Sequence, residues 1–297
     1  MDSGSAIMGA FSERSFDTVD GLKLYTRDYP ALAPITGAPV ILLHGLTRNS
    51  RDFESVAPRI AALGRRVIVP DMRGRGHSAY DPDPAHYVPA VYAQDVLSLL
   101  DKLGIQEAVF VGTSMGGIIT MVVAALAPNR IAAAVLNDIG PLIESSGLSR
   151  IGAMVGRSRP VANWDEGAAA VRAIQEHIYP TRVDDAAFWQ TIARRVLRER
   201  DDGQVETDYD NNIALAFSDP ETASPVDMTA LFEKLKDKPV LSVRGALSDL
   251  LSADTVGYMR ELKPDLVAID VADVGHAPIL DEPQAWDALL DFLARVK

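Results

Sequence analysis

Gly112-Thr113-Ser114-Met115-Gly116-Gly117 places a serine between glycines, directly after the apolar run Ala108 to Val111 and directly before a helical pattern. A strand that reverses into a helix within a few residues strains the serine backbone and leaves no room for side chains at its flanks. The hydroxyl then stands at a helix N-terminus, where the Met115 N–H and the helix dipole can stabilise an anion formed on a carbonyl substrate. Serine is a weak nucleophile until a base takes its proton, and histidine is the natural base near neutral pH. His276, in Asp273-Val274-Gly275-His276-Ala277-Pro278, lies late in the chain and follows the last strand pattern. His177 falls in a helical pattern, His86 in a loop, and His44 beside Gly45 reads as structural. Because cysteine is absent, thiolate nucleophiles, disulfides and thiolate metal sites are all excluded.

The base needs an acid to hold its tautomer and stabilise the imidazolium. Asp249, in Arg244-Gly245-Ala246-Leu247-Ser248-Asp249, follows the strand before the histidine strand; Asp138, in Asn137-Asp138-Ile139-Gly140-Pro141, follows the strand after the nucleophile. Asp249 is the favoured acid, and Asp138 is read as shaping the passage into the next segment.

Elements that can bring these residues together are legible in the hydrophobic pattern. Val40–Leu43, Val67–Val69, Ala108–Val111, Ala132–Leu136, Val240–Val243 and Val267–Ile269 read as strands buried on both faces. Helical patterns alternate with them at Phe53–Leu63, Val91–Leu103, Met115–Leu126, Ala253–Leu262 and Gln284–Val296, which implies a parallel sheet with helices on both faces. Ser15 to Asp28 alternates around Asp20-Gly21 and adds an antiparallel hairpin at one edge. His44, Asp71, Ser114, Asp138, Asp249 and His276 each follow a predicted strand closely, so they converge on the ligand-binding edge of that sheet. The alternation fails between Leu142 and Thr222, where Ala168–Ile178 and Ala186–Leu197 read as helices of an inserted lid. Its Trp164, Tyr179, Phe188, Trp189 and Phe217 are candidate pocket walls.

Composition narrows the partners. Lys plus Arg number 29 against 41 Asp plus Glu, a net charge of −12 that disfavours nucleic acid and anionic membranes. The first residues carry no leader-like pattern and no apolar stretch approaches ~18 residues, so a cytoplasmic location is expected. Asp81-Pro82-Asp83-Pro84-Ala85-His86 offers hard-metal ligands but lacks the glycine and terminal glutamate of a calcium loop, and reads as a solvated loop. The cluster Arg194, Arg195, Arg198 and Arg200 is flanked by acids and reads as a solvated lid face. No metal or cofactor is expected; the partner is a small ester-like molecule, and monomer and homodimer both stay open.

In this order His44-Gly45-Leu46, Asp71 to Ser78, the Ser114 turn, Arg244-Gly245 to Asp249, and Gly275-His276 resemble the α/β-hydrolase superfamily over nearly the whole chain outside the lid. The resemblance implies an α/β fold with a mostly parallel eight-stranded sheet, helices on both faces and an inserted helical cap. The core would span residues 1–141 and 223–297, and the cap 142–222. It also implies that the loop after Gly45 supplies a second oxyanion donor, the Leu46 N–H. The chain is most similar to the lidded esterase and lactonase branch, which cleaves carboxylic esters or lactones of small, largely apolar substrates through an acyl-enzyme. The loop after Gly45 lacks the extra glycines of many lipases and carbon–carbon bond hydrolases, and a serine at the turn speaks against dehalogenases and epoxide hydrolases. Carbon–carbon bond hydrolysis, acyl transfer to another acceptor, and a non-catalytic ligand sensor are the alternatives on the same scaffold.

Overall fold

The computed structural model describes residues 10–217 and 227–297. Its strands and helices run β1 (Ser12–Asp17), β2 (Lys23–Tyr29), β3 (Val40–Leu43), α1 (Ala57–Ala62), β4 (Val67–Pro70), α2 (Pro89–Lys102), β5 (Ala108–Thr113), α3 (Met115–Leu126) and β6 (Ile131–Asn137). They continue with α4 (Ser145–Met154), α5 (Trp164–Gln175), α6 (Ala186–Val196), β7 (Leu197–Glu199), β8 (Val205–Thr207), α7 (Thr229–Phe232), β9 (Val240–Gly245), α8 (Ala253–Leu262), β10 (Val267–Val271) and α9 (Pro283–Arg295). Eight strands form one sheet in the order β1-β2-β4-β3-β5-β6-β9-β10. The β1–β2 and β2–β4 pairs are antiparallel and every other pair is parallel.

Alternation along each central strand feeds two cores. In β3, Ile41 and Leu43 join the cluster that packs α2, α3 and α8, while Val40 and Leu42 join the one that packs α1 and α9. Each such side chain, taken wholly from water, contributes roughly 1.5–3 kcal/mol, so a residue of either face set is costly to truncate.

Two expectations need correction. The helix expected over Phe53–Leu63 is split: a 3-10 turn covers Ser50–Phe53, and α1 starts only at Ala57, with Pro58 in its first turn. The segment between β6 and β9 is not purely helical, because β7 and β8 pair as a short hairpin. The chain reverses there at Asp201-Asp202-Gly203, with Gly203 at φ 80°. That segment packs on the sheet through α5 and α6, whose Ala168, Val171, Trp189 and Ile192 enter the same cluster as α1 and α9. Among the described residues, no helix is long and apolar enough to cross a membrane.

Candidate active site

Ser114 caps α3 with φ 51° and ψ −114°, a conformation that L side chains rarely adopt. The flanking glycines make it possible. A Cβ on Gly112 would collide with the Gly116 backbone, and one on Gly116 would run into the Leu43 carbonyl of β3. The Ser114 N–H donates to the Asn137 carbonyl at 2.9 Å, tying the turn to the end of β6.

His276 reaches this turn from the loop after β10. Its Nε2 lies 2.9 Å from Ser114 Oγ, although 162 positions separate the two in sequence. Its Nδ1 lies 2.7 Å from Asp138 Oδ2. A carboxylate only accepts, so Nδ1 carries the proton and Nε2 is left to accept from the serine hydroxyl. The imidazole is 9% exposed and Asp138 is fully enclosed, so water competes little for either bond.

The imidazole's partner is therefore Asp138, and the expectation of Asp249 is corrected. Asp138 sits at φ 55° just past β6, the strand next to the nucleophile strand β5. Its N–H donates to the Val243 carbonyl of β9 at 2.7 Å, which lays it across the neighbouring strand's end. There the Gly245 N–H donates to Oδ1 at 2.7 Å and the Ser248 hydroxyl to Oδ2 at 2.6 Å. The end of β9 and the loop after it thus supply donors to a carboxylate just past β6. Asp249 turns toward α4, where Arg150 binds it in fork fashion, Nε at 2.6 Å and Nη2 at 2.7 Å. The Arg150 hydrogen bond holds the Asp249 carboxyl below its usual range.

Sequence reasoning did not single out Asn137 or Arg75 at this site. Asn137 Nδ2 donates to Thr113 Oγ1 at 3.0 Å and to the Pro278 carbonyl at 2.8 Å, bolting the serine turn to the histidine loop. Arg75, wholly buried, donates from Nε to the Leu46 carbonyl at 2.9 Å, from Nη1 to Tyr92 Oη at 2.9 Å, and lays Nη2 3.7 Å from Met115 Sδ. It thus touches both residues named as oxyanion donors. Gly45 and Leu46 line the cavity beside Ser114, and Met115 opens α3, where backbone N–H groups lack helical partners. The remaining sheet-edge residues build the loops. His44 is fully buried, accepts the Met72 N–H at Nε2 (3.0 Å) and donates from Nδ1 to the Gly45 carbonyl (2.7 Å). Burial pushes its pKa down, so it is a neutral strut. Asp71 accepts the Ser50 and His77 N–H groups at 2.6 and 2.9 Å.

Ser114 and His276 open on a cavity of about 240 Å³ between the sheet edge and the inserted segment. Of the aromatic candidates, Tyr179 lines it; Trp164, Phe188 and Trp189 do not. Trp189 is buried behind Tyr179 and stacks edge-on with it and with Phe188, while Trp164 donates to Glu199 at 2.9 Å and stacks with Arg194. The Phe217 side chain lies outside the described residues. The walls are instead aliphatic, with Ile151, Met154, Val155, Val171, Ile174 and Ile178 prominent. The wall fastens to the histidine loop on both sides of His276: the Gly275 N–H donates to the Ile178 carbonyl at 2.7 Å, and Tyr179 Oη to the Ala277 carbonyl at 2.9 Å.

The loop residues Asp20, Asp81 and His86 come within reach of one common point, but Arg73 already sits among them. Arg73 Nη1 bonds Asp20 at 2.9 Å and Asp81 at 2.5 Å, and its Nε and Nη2 hold Asp95 at 2.8 and 2.6 Å. A guanidinium is the cation these carboxylates enclose.

Comparison with known proteins places this geometry in context. A model of the alpha/beta hydrolase fold matches residues 38–283. The chain is 34% identical over 257 residues to a 3-hydroxybutyrate-oligomer hydrolase of Cupriavidus necator, covering 84% of this chain and 86% of that protein. It is 30% identical over 266 residues to an Escherichia coli esterase, covering 89% and 96%. The crystal structure of an alpha/beta hydrolase from Novosphingobium aromaticivorans is 42% identical and superposes with a TM-score of 0.90 over 97% of this chain and 100% of that one. With the eight-stranded sheet and the serine turn already in place, these likenesses establish that the chain belongs to the α/β-hydrolase fold family.

Proposed function

We propose that the protein is a serine ester hydrolase acting on short linear esters of hydroxy acids, with Ser114, His276 and Asp138 as its catalytic residues. The observation that carries this reading is the continuous relay Ser114 Oγ, His276 Nε2, His276 Nδ1, Asp138 Oδ2, with links of 2.9 and 2.7 Å. Ser114 attacks the ester carbonyl while His276 takes its proton. The Leu46 and Met115 N–H groups hold the oxyanion, each worth roughly 3 kcal/mol of transition-state stabilisation. His276 then returns the proton to the departing alcohol, leaving an acyl-Ser114 ester. Water, deprotonated by the same imidazole, adds to that ester and releases the acid. The 142–222 segment acts as the cap that sets selectivity, since its described residues furnish most of the aliphatic wall. The hydroxy-acid ester class is supported by the named activity of the Cupriavidus necator relative and by the mainly apolar chamber of about 240 Å³.

A fluorophosphonate probe, combined with a panel of p-nitrophenyl esters, small lactones and the linear dimer of 3-hydroxybutyric acid, tests this. The folded protein is expected to be modified at Ser114 alone and to turn over the linear esters fastest. Ser114→Ala is expected to lose label and at least ~10³-fold in kcat. A labelled protein that prefers lactones would redirect the substrate class; no label and no turnover would sink the hydrolase reading.

A further inference from the structure

Three arginines line the cavity, Arg48, Arg150 and Arg159, together with two acids, Asp52 and Glu206. Pairing removes most of this charge. Arg48 Nε holds Asp52 at 2.7 and 2.9 Å, Arg150 is clamped on Asp249, and Glu206 is held by Arg198 at 2.8 and 3.0 Å. Arg159, exposed on the turn between α4 and α5, has no hydrogen-bond or ion-pair partner among the described residues. The lining thus includes one cationic residue without a partner among the described residues, in a chain whose net charge is −12. An acidic surface repels anions at long range, so a local cation at a substrate chamber selects an anionic group close to it. A guanidinium presents a planar fork of donors that matches a carboxylate, and here all its donors are free.

We infer that Arg159 is a specificity-determining residue that binds a free carboxylate at the end of the ester substrate while Ser114 attacks the ester carbonyl. This rests on the ester-hydrolase reading and narrows it. The substrate class is then a linear ester with an ionised terminal acid, its aliphatic body lying along Ile151, Met154 and Val155. Hydrolysis of such an oligoester releases a second carboxylate at each cut, so a shortened product presents the same recognition group for the next round.

The test compares two substrates with one scissile ester each: the linear dimer of 3-hydroxybutyric acid, and the same dimer ending in a carboxamide. The wild-type protein is expected to prefer the acid, mainly through a lower KM, and the preference is expected to fall as salt is added. In Arg159→Gln the ratio of kcat/KM for acid over amide is expected to drop roughly tenfold, the scale of a charged hydrogen bond. Arg159→Glu is expected to invert the ratio, and Arg159→Lys to restore part of it, since Lys keeps the charge without the fork. Because Arg159 is exposed, these variants are expected to keep the wild-type thermal midpoint. A ratio within twofold of wild type in both Gln and Glu variants would overturn the subsite and leave the hydrolase reading standing. Failure of the wild-type protein to cleave either dimer or p-nitrophenyl butyrate would overturn the hydrolase reading, and this inference with it.

Discussion

His276 is held by Asp138 on one side and meets Ser114 on the other, so the choice of Asp138 as the proposed acid rests on a single 2.7 Å contact. Asp138→Asn keeps the shape but allows the amide to donate, favouring the wrong tautomer. It is expected to lower kcat by roughly 10³–10⁴-fold with KM little changed. Asp249→Asn is expected to stay within a few-fold; steady-state kinetics on p-nitrophenyl butyrate distinguish the two, and the opposite ranking would restore Asp249. The meeting of Ser114 and His276 was legible because each sits in a short context, one between glycines and one in a late loop after a strand. The acid was not. Both aspartates end a parallel strand within a few residues, and nothing in their spacing encodes that Arg150, far along the chain, neutralises one of them. Asn137 and Arg75 were equally hidden, since their roles lie in contacts to Pro278 and Leu46 that only folding creates.

At the scale of elements, the positions of the central strands were readable to within two residues because buried strands are continuous aliphatic runs bounded by turn residues. Strand β10 was placed as well but, being the sheet's edge, is exposed or half-buried over most of its length and not buried on both faces as expected. The β7–β8 hairpin was missed, being three residues per strand with little alternation to see. The pocket aromatics were mostly misjudged for a related reason: periodicity marks a buried face without saying whether it meets a cavity or another helix. The β5–α3 junction is the least forgiving contact. Gly116→Ala would force a methyl against the Leu43 carbonyl, and neither strand β3 nor helix α3 can give way cheaply. A loss of about 2–4 kcal/mol in unfolding free energy is expected, read by denaturant titration, along with loss of fluorophosphonate labelling. A stable, labelled variant would show that the junction is looser than its packing implies.

For the whole molecule, core and inserted segment meet along a seam to which the Arg150–Asp249 pair belongs. Both side chains are partly solvated, at 22% and 34% exposure, so the pair contributes at most about 1 kcal/mol. Arg150 depresses the Asp249 pKa from 3.8. The contribution is therefore fully present above the ordinary aspartate range and disappears as pH falls through the lowered value. Arg150→Gln is expected to lower the thermal midpoint slightly at pH 7, with the difference closing as pH falls through and below the lowered Asp249 pKa. A gap that persists at acid pH would assign the effect to packing instead of charge.

The two bonds from Ile178 and Tyr179 to the residues flanking His276 have a mechanical meaning. On the proposed mechanism, a swing of that wall that kept both bonds would draw the His276 imidazole away from Ser114, so an open chamber would also be a disarmed one. The enzyme would be competent only while its chamber is shut around something that fits, and bystander molecules reaching the bare serine would find it without a proton acceptor.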